Sequence, residues 1–146
     1  MFEKKIVDIA GNCITEFIKR LAYTFGTSVP SWAIVEHLDT HAKYNSDGMI
    51  MIRLDDFCKA IFYLDYMWLT EVIKHEFGHH FAEKVLGIKD KRKHEIIADL
   101  FEKHVDSALI EEGARLIYAG MLYMKAIFKD YASIREAILQ SSEKEE

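Results

Sequence analysis

The strongest constraint on how this chain folds is the run Lys74-His75-Glu76-Phe77-Gly78-His79-His80. His75 and His79 stand four residues apart, and on an α-helix that spacing puts two imidazoles on nearly one line, one turn apart. Glu76 follows His75 directly, so it projects about 100° around the axis from the pair. Two imidazoles that can share a metal ion, with a carboxylate beside them to handle a water proton, are the donor types of a metal-assisted hydrolytic site. Two ligands do not complete such a site. The pattern therefore asks for a third, carried on an element that packs against this helix.

The next helical pattern, beginning near Arg92, supplies it in Glu95-Ile96-Ile97-Ala98-Asp99. Glu95 and Asp99 share a face, and Ala98 between them lets two helices approach closely. Glu95 is assigned as third ligand, completing a His₂Glu set for Zn²⁺ with an open fourth position, and Asp99 as the partner that orients His75. His94, His104 and, more remotely, His80 compete for the role of third ligand. His94 faces about 100° away from Glu95, and His104 lies more than two turns further along.

The 146 residues, half of them apolar, suit one domain over residues 1–140 with a polar tail at 141–146. A net charge of −5 argues against direct nucleic-acid binding. Cys13 and Cys58 follow no metal or redox spacing and read as reduced thiols. With no signal-peptide pattern at Met1-Phe2-Glu3-Lys4-Lys5, this points to an intracellular, cytoplasmic setting.

The fold expected is mostly helical α+β. A first helix covers Phe2 to about Phe25, and Gly26 and Pro30 stop it. A small antiparallel sheet occupies about residues 32–54, with turn chemistry at Asn45-Ser46-Asp47-Gly48 and a strand over Met49-Ile50-Met51-Ile52-Arg53-Leu54. Asp55-Asp56 is placed as the cap of a helix from about Phe57. The histidine helix runs from about Tyr66 to Leu86, with Gly87 as its left-handed cap. Glu111-Glu112-Gly113 should break or bend the helix begun near Arg92. Ala114 to Phe128, too short to span a bilayer, reads as a core helix or a homo-oligomer contact, and Lys129 to Gln140 as a final amphipathic helix.

His75-Glu76-Phe77-Gly78-His79 followed by Glu95-Ile96-Ile97-Ala98-Asp99 resembles the paired motifs of the gluzincin metallopeptidases, the thermolysin-like clan. In its short length and its sheet before the metal helix the chain is most similar to single-domain minigluzincins and ImmA-type intracellular peptidases. The resemblance implies zinc-dependent hydrolysis of peptide bonds, with Glu76 as general base and an extended peptide or protein substrate. It further implies that the strand before the metal helix, Met49, Ile50, Met51, Ile52 and Arg53, is the edge on which substrate lies. Self-inhibition by the C-terminal segment is a trait of some relatives. Secreted members stabilise the oxyanion from a second domain; here Tyr63, Tyr66, Tyr118, Tyr123, His104 and Arg115 are the substitute candidates. The competing expectation is a catalytically silent zinc-binding interaction protein, of a regulatory or toxin-antitoxin kind. Such a site needs no acid at position 76 and closes its fourth position with a protein ligand.

Overall fold

In this computed structural model, which describes residues 2–104 and 107–143, the N-terminal apolar stripe forms α1 (Phe2–Phe25), burying Ile6, Ile14, Phe17, Ile18, Leu21 and Ala22. Gly26 ends it at φ 68°, a left-handed conformation that glycine adopts without steric cost. Three strands follow, β1 (Ser31–Val35), β2 (Ala42–Asn45) and β3 (Met49–Arg53). The remaining elements are α2 (Leu54–Tyr63), α3 (Tyr66–Lys84), α4 (Lys91–His104), α5 (Ser107–Phe128) and α6 (Tyr131–Glu143). The class is the mostly helical α+β fold expected.

The sheet keeps its expected place but is mixed, in the order β1-β3-β2. β2 and β3 form the antiparallel hairpin that the Asn45–Gly48 turn predicts, closed by a 2.8 Å bond from Gly48 N–H to the Asn45 carbonyl. β1 instead runs parallel to β3, from Ser31 opposite Met49 to Val35 opposite Arg53. The connection at 36–41 carries the chain past the place of β3, so the last strand inserts between the first two. Met49, Ile50, Met51, Ile52 and Arg53 therefore have a paired strand on each side and are not the expected substrate edge. Ile50 and Ile52 are fully buried, as a central strand's core face should be.

Leu64 at φ 55° separates α2 from α3, and the Asp65 carboxylate then accepts the Trp68 N–H at 3.3 Å as an N-cap. α2 starts at Leu54, so Asp55 and Asp56 lie in its first turn, where the helix dipole favours acids, rather than capping it. Gly113 does not break a helix, because α5 runs through it. It faces α1, and a Cβ at that position would collide with the buried Phe17 ring. α6 packs against α1, α2 and α5, where Arg135 donates to Asp55 and Glu36, both at 3.1 Å. It extends over Ser141, which is buried, so the expected polar tail is helical as far as Glu143, and residues 144–146 lie outside those described. Tyr63, Met67, Tyr118, Leu122 and Tyr123 remain as exposed apolar side chains. No helix among the described residues is long and apolar enough to cross a membrane.

The contact that positions the candidate site is that of α3 with α4. A Cβ on Gly78 would lie 2.7 Å from the Ala98 Cα, so the two helices touch backbone to backbone. Gly11 in α1 differs. Its Cβ would meet the Trp32 ring at 3.4 Å, ordinary contact, beside a small apolar cavity of about 50 Å³. Gly11→Ala should therefore stabilise the fold by about 0.5–1 kcal/mol through helix propensity. Gly78→Ala gains the same propensity yet should destabilise by about 1–3 kcal/mol, because the helices must separate. Urea unfolding of both variants checks this; a Gly78→Ala protein as stable as its parent would disprove the close contact.

Candidate metal centre

Helical spacing and the Gly78–Ala98 contact together assemble a donor set. His75 and His79 project from α3 with ring centroids 5.2 Å apart. Glu95 on α4 spans them, Oε1 3.1 Å from His79 Nε2 and Oε2 3.4 Å from His75 Nε2. The three residues offer ligand atoms that all lie within 4.8 Å of one another. Zinc bonds of ~2.0–2.1 Å at the tetrahedral angle hold neighbouring ligand atoms about 3.3 Å apart, so both carboxylate–imidazole separations suit such an ion. Among the described residues no further His, Cys, Asp or Glu joins this set.

Behind His75 the acids differ in part from expectation. Its buried Nδ1 lies 3.5 Å from Asp99 Oδ1 but only 3.0 Å from Glu102 Oε1, and neither contact is aligned as a hydrogen bond. Glu102, absent from the expected set, lies on one helical face with positions 95 and 99. Lys74, buried beside it, donates from Nζ to the Glu102 carbonyl at 2.7 Å, and burial holds its pKa below the ordinary lysine value.

Glu76 is only 8% exposed. Burial is the main reason its carboxyl is pushed up to about 7; the charges of Glu95 and Glu102 add to this, while His75 and a backbone hydrogen bond from Tyr44 oppose it. His79 is shifted below the ordinary histidine value, first by burial, against the attraction of Glu95.

The other histidines are used elsewhere. His94 is not a ligand to the set: its Nδ1 faces His79 Nδ1 at 3.1 Å and its Nε2 donates to the Ile88 carbonyl at 2.8 Å. His80, 2% exposed, points away from the pair and donates from Nε2 to the Ser28 carbonyl at 2.8 Å. Its Nδ1 lies 3.0 Å from the Tyr44 hydroxyl, which is also 3.3 Å from Glu83 Oε1.

The donor set forms part of a cleft of about 930 Å³ bounded by α3, α4 and residues 39–46. Its strand is β2. The 2.8 Å bond from Arg53 N–H to the His41 carbonyl fixes the antiparallel phase, so Lys43 and Asn45 bond inward to β3 while the backbone groups of Ala42 and Tyr44 face outward. None of Tyr63, Tyr66, Tyr118, Tyr123, His104 and Arg115 lines this cleft. Tyr66 and Tyr118 pack on each other with ring centroids 5.0 Å apart, Tyr63 and Tyr123 face solvent, and Arg115 pairs with Glu111 on α5. His104 is exposed in the last turn of α4. No described residue of α6 lines the cleft either, so that helix does not reach the donor set.

Comparison with protein-family models, with curated proteins and with solved structures finds no match to this chain.

The raised Glu76 pKa carries a stability consequence of definite sign. A carboxyl at about 7 in the native state, against 4.5 for an ordinary glutamate, binds its proton more tightly when folded. Its contribution to stability is full below about pH 4.5 and is lost as pH rises through about 7. In chelator-treated protein, Glu76→Gln should therefore gain stability relative to the parent at pH 8 but not at pH 4.5. Equal gains at both values, by urea titration, would contradict the burial argument.

Proposed function

We propose that the chain is a zinc-dependent metallopeptidase of gluzincin type. One observation carries the reading: a single carboxylate, Glu95, lies 3.1 and 3.4 Å from two Nε2 atoms, beside the buried Glu76 and within an open cleft. His75, His79 and Glu95 would hold the ion, leaving a fourth position open as catalytic zinc requires. Zinc there supplies a Lewis acid that activates water and polarises a carbonyl.

The chain's own groups account for the rest. Glu76, buried beside the donor set, takes the proton of the attacking water and returns it to the leaving amine. The Tyr44 N–H keeps that carboxylate in place. The rim of β2 along the cleft is where an extended peptide would lie, an arrangement that selects substrate by backbone more than by sequence. The silent-site reading is less well supported, because a structural zinc site closes with a fourth protein ligand and needs no buried acid at position 76.

Metal analysis together with casein and peptide cleavage, in parent and Glu76→Gln, tests the proposal. Expected is about one zinc per chain in both proteins, with turnover reduced by ~10²–10⁴-fold in the variant. Zinc in both with cleavage by neither favours the silent site, and a variant as active as its parent removes Glu76 from the mechanism.

A further inference from the structure

We propose that the cleft selects a peptide of opposed charge. It takes a basic side chain at the end where His41 and Trp68 meet and an acidic one at the end flanked by Lys89 and Lys91. The proposal rests on the peptidase reading only for the kind of ligand, and its test needs no turnover.

The order of residues along the walls carries it. On α3 the cleft face runs from Trp68 through Glu71, His75 and His79 to Glu83, in steps of three and four residues. β2 and the segment before it follow α3 in the same sense: the His41 ring meets Trp68 edge-on at 6.1 Å, whereas the Tyr44 hydroxyl lies 3.3 Å from Glu83. α4 runs the opposite way, because Lys74 bonds the Glu102 carbonyl while Glu95 lies at His79. Lys91, one turn before Glu95, therefore stands with Lys89 on the Glu83 side of the donor set, and Glu102 on the Trp68 side.

Charges without partners separate along this axis. Glu71 is exposed and forms no hydrogen bond or ion pair among the described residues. Lys74, three residues on, is buried and directed to the Glu102 carbonyl instead. Asp39, two residues before His41 on the same wall, is also exposed and unpaired. At the other end Lys89 and Lys91 are exposed and unpaired, while Glu83, an acid on that side, already faces Lys84 Nζ at 3.1 Å. Lys43 lies between the two ends on β2. A half-buried indole with a free carboxylate one turn away suits a guanidinium or ammonium, by cation–π attraction and ion pairing together. Two free ammonium groups suit a carboxylate. The antiparallel helices put Lys91 level with the end of α3, ~20 Å along the axis from Glu71 at a rise of ~1.5 Å per residue. An extended chain advances ~3.3 Å per residue, so charges about six positions apart would reach both ends.

Fluorescence anisotropy with short labelled peptides, their ends blocked so that only side chains carry charge, tests this on Glu76→Gln protein supplied with zinc. The probes are serine- and threonine-based chains with one Lys and one Glu about six positions apart, in both orders, and the same chain with Gln at both positions. The better order should bind about 5-fold more tightly than the neutral chain at low salt, and less than about 2-fold more tightly in about 1 M salt. Adding Glu71→Lys should remove the gain from the peptide's Lys, and adding Lys91→Glu the gain from its Glu. Equal binding of charged and neutral chains, binding of none, or a preference that survives both reversals overturns the proposal. Charge-selective binding with no cleavage by the zinc-loaded parent leaves it standing and refutes the peptidase reading; cleavage of all the peptides with no charge preference in binding does the reverse.

Discussion

The near-contact of Gly78 with Ala98 is the constraint on which the rest of the site depends. Packed helices usually lie about 8–10 Å apart, set by the side chains between them. Here a Cβ on one residue would lie 2.7 Å from the Cα of the other, so the gap is at the short end of that range. Glu95 sits almost one turn before Ala98, and its short side chain spans His75 and His79 only because the axes are close. The same approach packs Phe77 and Phe101 together with ring centroids 5.7 Å apart, and Phe25 completes the cluster 4.7 Å from Phe101. Site and core are therefore two sides of one helix crossing, and neither moves without the other.

That crossing also concentrates charge. Glu76, Glu95, Asp99 and Glu102 gather around two imidazoles, while Lys74 directs its ammonium to a main-chain carbonyl. Burial and mutual repulsion both raise the cost of ionising Glu76. A divalent cation at the His75, His79 and Glu95 atoms would offset that repulsion and favour the ionised base, which is the electrostatic support for the metal-centre reading.

What was legible in the residues follows from stiffness. Within a helix, spacing determines direction, so the sequence alone puts His75, His79, Glu95 and Asp99 on facing lines. Gly87 is left-handed as expected, but α3 already ends at Lys84 with Val85 as its cap, so Gly87 lies beyond the helix end rather than capping it. Glu102 lies on the same face and was readable in principle. His94, a candidate ligand by type, faces the opposite nitrogen of His79, a distinction that spacing alone does not contain. Pairing between strands depends on how a connection crosses the sheet. Consecutive short strands suggest an antiparallel sheet and the gluzincin resemblance implies Met49–Arg53 as its edge, whereas the path of residues 36–41 makes β3 central and leaves β2 as the edge beside the cleft. The six oxyanion candidates were chosen by chemistry without position, and packing sends them to other faces.

The edge strand matters for more than its free backbone. Tyr44 donates its N–H to Glu76, and its hydroxyl reaches His80 and Glu83, further along α3. His80 in turn is anchored to the Ser28 carbonyl in the segment between α1 and β1. The third histidine of the run is thus not redundant with the pair before it. It ties β2 to α3 through the Tyr44 hydroxyl while the pair faces the cleft. A peptide adding to β2 would meet a strand whose distance from Glu76 is already determined, so binding and proton transfer would share one rigid frame. Under the proposed reading, that coupling would bring a reacting carbonyl to the base without a large conformational change.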